Sequence, residues 1–271
     1  MKVTPMGPQP LYEPGAVTPC YKLRYGWTGW PTVGTRFPDK MESLLAVPSA
    51  DWERDHLRLL ECSFSPERVL MTFSVTPQVT PVFFVARVKG RLQHALRQAE
   101  APIKFSRKVA MVSIGENHRE DVEQYIQQHG QKEAHGDPAL EERLRPFTIV
   151  NSAVDLSLPS ETASGRYWYN LHLVLVNAQR WCNASPQWLG KIRDQSFRIA
   201  EKKGYGISRC SAVPDHVHVS VRGNIEQSPE QIALAFQNNL AYTLGQVRVW
   251  QPTYYVGTFG EYDMNAVRSW E

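Results

Sequence analysis

The chain has 271 residues, 42% apolar, 11% aromatic and 21% charged, with a net charge of +3. That composition excludes disordered, collagen-like and coiled-coil chains and leaves material for one or two cores. The four cysteines lie far apart with no C-x-x-C. Reduced thiols in a cytoplasmic protein are therefore expected, rather than a zinc finger or a disulfide framework. The opening MKVTPMGPQPLYEPG has no apolar core, so no signal peptide is expected. The longest uncharged run, Val69 to Ala86, is broken by Pro77 and Pro81 and is not a membrane span.

In chain order, Tyr21–Tyr25 alternates as a strand does, and Pro66–Phe73 (PERVLMTF) is a second strand. Thr80–Gln98 begins with a Thr-Pro helix start and keeps helical spacing. Val112–Tyr125 (VSIGENHREDVEQY) reads as strand, Gly-Glu turn and helix. Residues from about 130 to 163, rich in charge, Pro and Ser, form a connection with a short helix near Pro138–Arg145. The same order then returns. Tyr169–Leu173 and Pro214–Val221 (PDHVHVSV) are strands, Ser228–Gln246 is a Ser-Pro-initiated helix, and Gly257–Trp270 is strand, Gly-Glu turn and helix.

The first three matches lie 148 residues apart and the last 145. Identity between the copies is low, but the order is shared, which points to a tandem duplication. The expected fold is α+β: two ferredoxin/RRM-like units with antiparallel sheets and helices on one face, arranged as a pseudo-dimer. The halves would be residues 1–130 and 164–271, joined by 131–163.

Two basic clusters stand out against the small net charge. Arg87, Lys89, Arg91, Arg97, Lys104, Arg107 and Lys108 face one acid, Glu100. Arg180–Lys203 carries six cations against Asp194 and Glu201. Either could follow a phosphate backbone, or simply be a solvated helix face.

The most specific string is Pro214-Asp215-His216-Val217-His218. Residues i and i+2 of a strand share a face, so both imidazoles can point at one metal ion while Val217, Val219 and Val221 enter the core. Two half-buried histidines on an edge strand would have the same spacing.

This strand with its following helix resembles the HUH-type single-tyrosine transposases, the insertion-sequence and REP-associated tyrosine transposase group. So does Gly115-Glu116 followed by a helix carrying Val122-Glu123-Gln124-Tyr125-Ile126, and so does Val88-Lys89-Gly90-Arg91. The resemblance implies metal-dependent nicking and strand transfer of single-stranded DNA with hairpin structure, through a 5′-phosphotyrosine. It implies Tyr125 as nucleophile, His216 and His218 as ligands of Mg²⁺ or Mn²⁺, although imidazole ligands alone would not exclude Zn²⁺, and His129, one turn after Tyr125, as a third ligand where the family usually has glutamine. Gln128 and Gln131 are spare candidates for that position.

The halves depart from the pattern in complementary ways. At the histidine positions the first half has Arg68 and Leu70, and at the tyrosine position the second half has Trp270. A monomer acting as an internal pseudo-dimer would then hold one composite site.

Two other readings remain open. One is a domesticated, catalytically silent DNA- or RNA-binding module. The other is a metalloenzyme acting on a small molecule, which leaves the Tyr125 motif unexplained. Tyr254, Tyr255 and Tyr262 are expected in the core, in turns or stacked on bases. His56, His94, His118, His135 and His172 show no partner pattern. Trp27 and Trp30 could stack on bases, though at least one is expected in the core.

Overall fold

The computed structural model describes residues 9–38, 46–99, 103–245 and 248–260. The strands are β1 (Thr18–Lys22), β2 (Arg24–Pro31), β3 (Leu57–Phe64), β4 (Val69–Val75), β5 (Phe105–Ile114), β6 (Thr148–Val150), β7 (Ser160–Glu161), β8 (Gly165–Trp168), β9 (Asn170–Val176), β10 (Gly206–Ala212), β11 (His216–Arg222) and β12 (Thr253–Thr258). The helices are α1 (Ala46–Arg54), α2 (Pro81–Gln98), α3 (Arg119–Gln127), α4 (His129–Glu133), α5 (Pro138–Leu144), α6 (Pro186–Lys203) and α7 (Pro229–Leu244).

Two six-stranded sheets form, in the orders β3-β4-β2-β5-β8-β7 and β1-β12-β9-β11-β10-β6. Within them, β3-β4-β2-β5 and β10-β11-β9-β12 are equivalent antiparallel runs. Each is connected βαββαβ, the ferredoxin-like arrangement. The α+β expectation of two such units therefore holds. Each of these four-stranded runs contains one strand more than the sequence pattern suggested, β3 and β10. Arg58 and Glu61 in β3, and Ser208, Arg209 and Ser211 in β10, hide the alternation in these segments.

Local signals account for the helices. Pro81 and Pro229 occupy the first helical turns, and Thr80 Oγ1 accepts the Phe83 N–H at 3.1 Å. Ser228 and Gln231 form a reciprocal capping box. Such caps contribute about 1 kcal/mol each.

The register revises one offset. Tyr25 pairs with Phe73 in the first sheet and Leu171 with Val221 in the second. The first strands thus correspond at 146 residues, not 148, a two-residue shift that keeps every side chain on its face.

The sheets are joined by exchanged strands. β1 runs parallel to β12 in the second sheet before the chain crosses at buried Leu23 into β2 of the first. Reciprocally, β8 runs parallel to β5 in the first sheet before crossing at buried Tyr169 into β9 of the second. Equivalent hydrogen bonds hold the two crossings. The Arg24 N–H donates to Thr258 Oγ1 at 2.9 Å, and the Asn170 N–H donates to Ser113 Oγ at 3.0 Å. The backbone just beyond β5 and β12 also meets, with the Gly115 N–H donating to the Gly260 carbonyl at 3.1 Å; Glu261, the rest of the second Gly-Glu turn and the helix expected after it lie outside the described residues. A Cβ on Gly115 would lie 2.5 Å from Phe259 Cα, so only glycine permits this approach.

Each unit packs its own two helices against one sheet face, and one apolar cluster runs through both units. The helix α3 behaves differently. It follows β5 of the first sheet but lies on β10 and β11 of the second, burying Val122 and Ile126 against Leu156 and Phe259. β11 is thereby covered on both faces. Val217, Val219 and Val221 join the main core, while the opposite face carries His216, His218 and Ser220.

Candidate active site

His216 and His218 are buried on the face of β11 beneath α3, and β11 is an interior strand between β9 and β10 rather than an edge. The Asp215 carboxylate lies 2.5 Å from His216 Nδ1, which leaves Nε2 free to face the site. Burial alone would raise the Asp215 pKa. Arg180, 3.0 Å away, and His216 outweigh it and hold this carboxyl below its ordinary value.

His218 Nδ1 lies 2.9 Å from His172 Nε2, with the rings stacked 5.1 Å apart. The expectation that His172 has no partner is therefore corrected. Its alternating position on β9 was visible in the sequence, but the neighbouring strand was not. His172 pairs in register with Ser220, and its side chain reaches along the strand to His218.

His129 opens α4, is 4% exposed, and places Nε2 2.6 Å from His216 Nε2. The ligand atoms of His129, His216 and His218 all lie within 4.8 Å of one another, the one group of three potential metal ligands among the described residues. Burial pushes the His129 and His172 pKa values down to about 4, and that of His218 well below its ordinary value. All three are held neutral, the form that ligates a metal.

The cluster fits an ion. Nitrogens bonded at about 2.0–2.1 Å to a tetrahedral ion are roughly 3.4 Å apart. The 2.6 Å contact is an N–H···N hydrogen bond, and a small opening of the rings would let an ion take its place. The buried Nδ1 of His129, on the side of the ring away from His216, has no hydrogen-bond partner, and an ion held at Nε2 would not supply one.

Tyr125, on α3, lies with its ring 5.2 Å from that of His129, 5.5 Å from His218 and 6.3 Å from His172. It is 38% exposed and lines a cavity with Asn117, Asp121, Val122, His172, His218 and Tyr255. Burial and then the Glu133 charge raise the phenol above its ordinary pKa. The Lys132 ammonium sits 4.5 Å from the ring centre. Tyr125 and His129, from the first copy of the repeated pattern, thus converge with His172, His216 and His218 from the second.

The other candidates fall elsewhere. Gln128 and Gln131 line a separate pocket with Glu141 and Arg145. Tyr254 is buried, Tyr255 reaches the Tyr125 cavity, and Tyr262 lies outside the described residues. Trp27 is a core residue, and Trp30 packs beside Ala110, Val112 and Trp168. In the first sheet the histidine positions hold Arg68 and Leu70 as the sequence requires, and Trp270 lies outside the described residues.

Among the basic residues, Arg91 is committed to Asp51 at 3.3 Å and Asp55 at 3.2 Å, and Arg87 lies 3.8 Å from Asp55. Lys89 Nζ donates to the Ser106 carbonyl at 2.6 Å. Arg97, Lys104, Arg107 and Lys108 are exposed. No helix among the described residues is long and apolar enough to cross a membrane.

Residues 166–270 match the family model described as "Transposase IS200 like". The match supports the transposase resemblance for the segment that carries His172, His216 and His218. Tyr125 and His129 precede it. No curated protein matches the chain. Among solved structures, a candidate transposase from Deinococcus radiodurans R1 is similar at 18% identity and TM-score 0.32, over 40% of this chain and 90% of that one. The regulatory subunit of aspartate kinase from Thermus flavus is similar at 11% identity and TM-score 0.19, over 82% of this chain and 94% of that one. Superpositions of this size carry neither function nor mechanism over to this chain.

Proposed function

We propose that the chain is a metal-dependent enzyme that nicks single-stranded DNA and transfers the strand, as in DNA transposition, with one composite active site per chain. Its halves, 1–130 and 164–271 joined by 131–163, act as the two members of an internal pseudo-dimer. The observation that carries this reading is the placement of Tyr125 beside His218 and His129, with ring separations of 5.5 and 5.2 Å. The family match over residues 166–270 supports it independently.

In this mechanism His129, His216 and His218 would hold a divalent ion, with Asp215 and His172 orienting two of the rings. When bound, such an ion polarises the phosphodiester and stabilises charge developing on its oxygens. The Tyr125 hydroxyl, protonated in the free protein, loses its proton as its oxygen attacks phosphorus. The bond to the 3′ oxygen breaks, giving a free 3′-hydroxyl and a 5′-phosphotyrosine. Attack by a 3′-hydroxyl on that ester rejoins a strand and returns the proton to Tyr125. One ester is exchanged for another, so no external energy source is needed. Exposed cations on the first half hold the backbone of a hairpin-bearing substrate.

Incubation with metal ion and hairpin-bearing single-stranded DNA should yield a protein–DNA adduct that survives a denaturing gel, and Tyr125→Phe should abolish it. Binding without an adduct under any divalent ion would instead favour the silent binding module.

A further inference from the structure

The geometry points to a three-imidazole site that takes a borderline transition-metal ion of the Zn²⁺ or Co²⁺ class and discriminates against Mg²⁺. This rests on reading the histidine cluster as the metal site of the proposed reaction, and it revises the Mg²⁺ expected from the family resemblance. The compact donor set contains three ring nitrogens and no oxygen. Mg²⁺ requires near-octahedral oxygen ligation and dehydrates reluctantly, whereas imidazole suits Zn²⁺ and its neighbours.

The nearest carboxylates do not change that balance. Asp215 lies on the Nδ1 side of His216 and is paired with Arg180. Glu133 lies 3.6 Å from His129 Nε2 and is outside the compact group. All three rings are buried, so few waters can complete the shell an Mg²⁺ ion keeps. Three histidines with a fourth position open to water or substrate is instead the arrangement of a catalytic zinc site.

His129 decides the outcome. A glutamine there would supply an amide oxygen and leave two imidazoles, a set that a harder ion tolerates. The imidazole converts the site to all-nitrogen ligation and raises affinity along the series from Mn²⁺ to Zn²⁺. His129 also follows Tyr125 by one helical turn, so ion binding ties the tyrosine-bearing segment to β11.

The test is metal binding by the full chain after stripping with a chelator. Elemental analysis following dialysis against each single ion should find one Zn²⁺ or Co²⁺ per chain. Co²⁺ should give the intense visible bands of a four-coordinate nitrogen-rich site, and a large excess of Mg²⁺ should displace neither ion. His129→Gln should weaken Zn²⁺ binding by more than about tenfold, the lower end of what losing even a supporting partner costs. Displacement of Zn²⁺ by Mg²⁺, or unchanged Zn²⁺ affinity in a folded His129→Gln variant, would overturn the inference. If that variant fails to fold, the Mg²⁺ competition on the unmodified chain decides alone. A DNA adduct formed with Mg²⁺ in a chain that does not retain Zn²⁺ would sink this inference and leave the proposed function standing. Tight Zn²⁺ binding with no adduct under any ion would do the reverse.

Discussion

The Tyr125 and His218 rings lie 5.5 Å apart although their helix and strand follow and belong to different sheets. That contact exists because α3 leaves β5 of the first sheet and packs on β10 and β11 of the second. Removing the hydroxyl should therefore be chemically decisive and structurally mild. Tyr125→Phe keeps the ring and loses an exposed polar group, so its melting temperature should match the parent while adduct formation disappears. A large loss of stability would mean that the hydroxyl has a structural role.

His172 should behave as a positioning residue. It accepts the His218 Nδ1 proton if His218 Nε2 ligates the ion, so it sets the tautomer of a ligand it does not replace. His172→Ala should weaken metal binding by about 10–100-fold. His172→Gln, whose amide oxygen can accept the same hydrogen bond, should recover part of the loss. Isothermal titration with Co²⁺ reads both, and equal losses in the two variants would reduce His172 to a packing role.

The metal-free protein should lose stability on mild acidification. His129 and His172 have pKa values near 4 when folded, against about 6.5 unfolded. Between those values the unfolded chain binds protons that the folded chain does not, so stability rises with pH across this window and is lost as pH falls through it. Urea denaturation of the chelated protein at several pH values measures the slope. His172→Gln should flatten it, and an unchanged slope would contradict the assignment.

The chain order of most elements was legible because apolar alternation, Ser/Thr-Pro caps and the Gly-Glu turns are local signals. His216, His218 and Tyr125 could be singled out on spacing and motif. His172 could not, because its significance comes from β11 lying beside β9, a pairing more than 40 residues distant in sequence. The exchanged strands β1 and β8 were equally hidden, since nothing in a segment of four or five residues says which sheet will accept it. Lys89 and Arg91 show the opposite failure. Their positive charge was plain, but the Ser106 carbonyl and the Asp51 and Asp55 carboxylates that engage them come from elsewhere in the chain.

That difference separates two kinds of basic residue. Affinity for single-stranded DNA should fall with salt at a log–log slope of roughly −0.7 per phosphate contacted. Neutralising exposed Lys104 and Arg107 together should make the slope shallower without changing stability. Arg91→Ala should instead destabilise the fold, because it leaves Asp51 and Asp55 without this partner. Filter binding across a salt series, with melting curves for each variant, tests both statements.

Gly115 links the two halves through close backbone contact. Gly115→Ala places a methyl group against the Phe259 backbone, which cannot yield as a side chain can. A destabilisation of about 1–3 kcal/mol is expected from this overpacking. Chemical denaturation of the variant checks it, and a neutral substitution would show that the turns tolerate separation.

The most direct test of the composite site is mass-spectrometric mapping of the covalent DNA adduct on the full chain. The account predicts a phosphotyrosine at Tyr125, at no more than one per chain, that requires His216 and His218. A phosphotyrosine at Tyr254, Tyr255 or Tyr262, or two adducts on one chain, would contradict it.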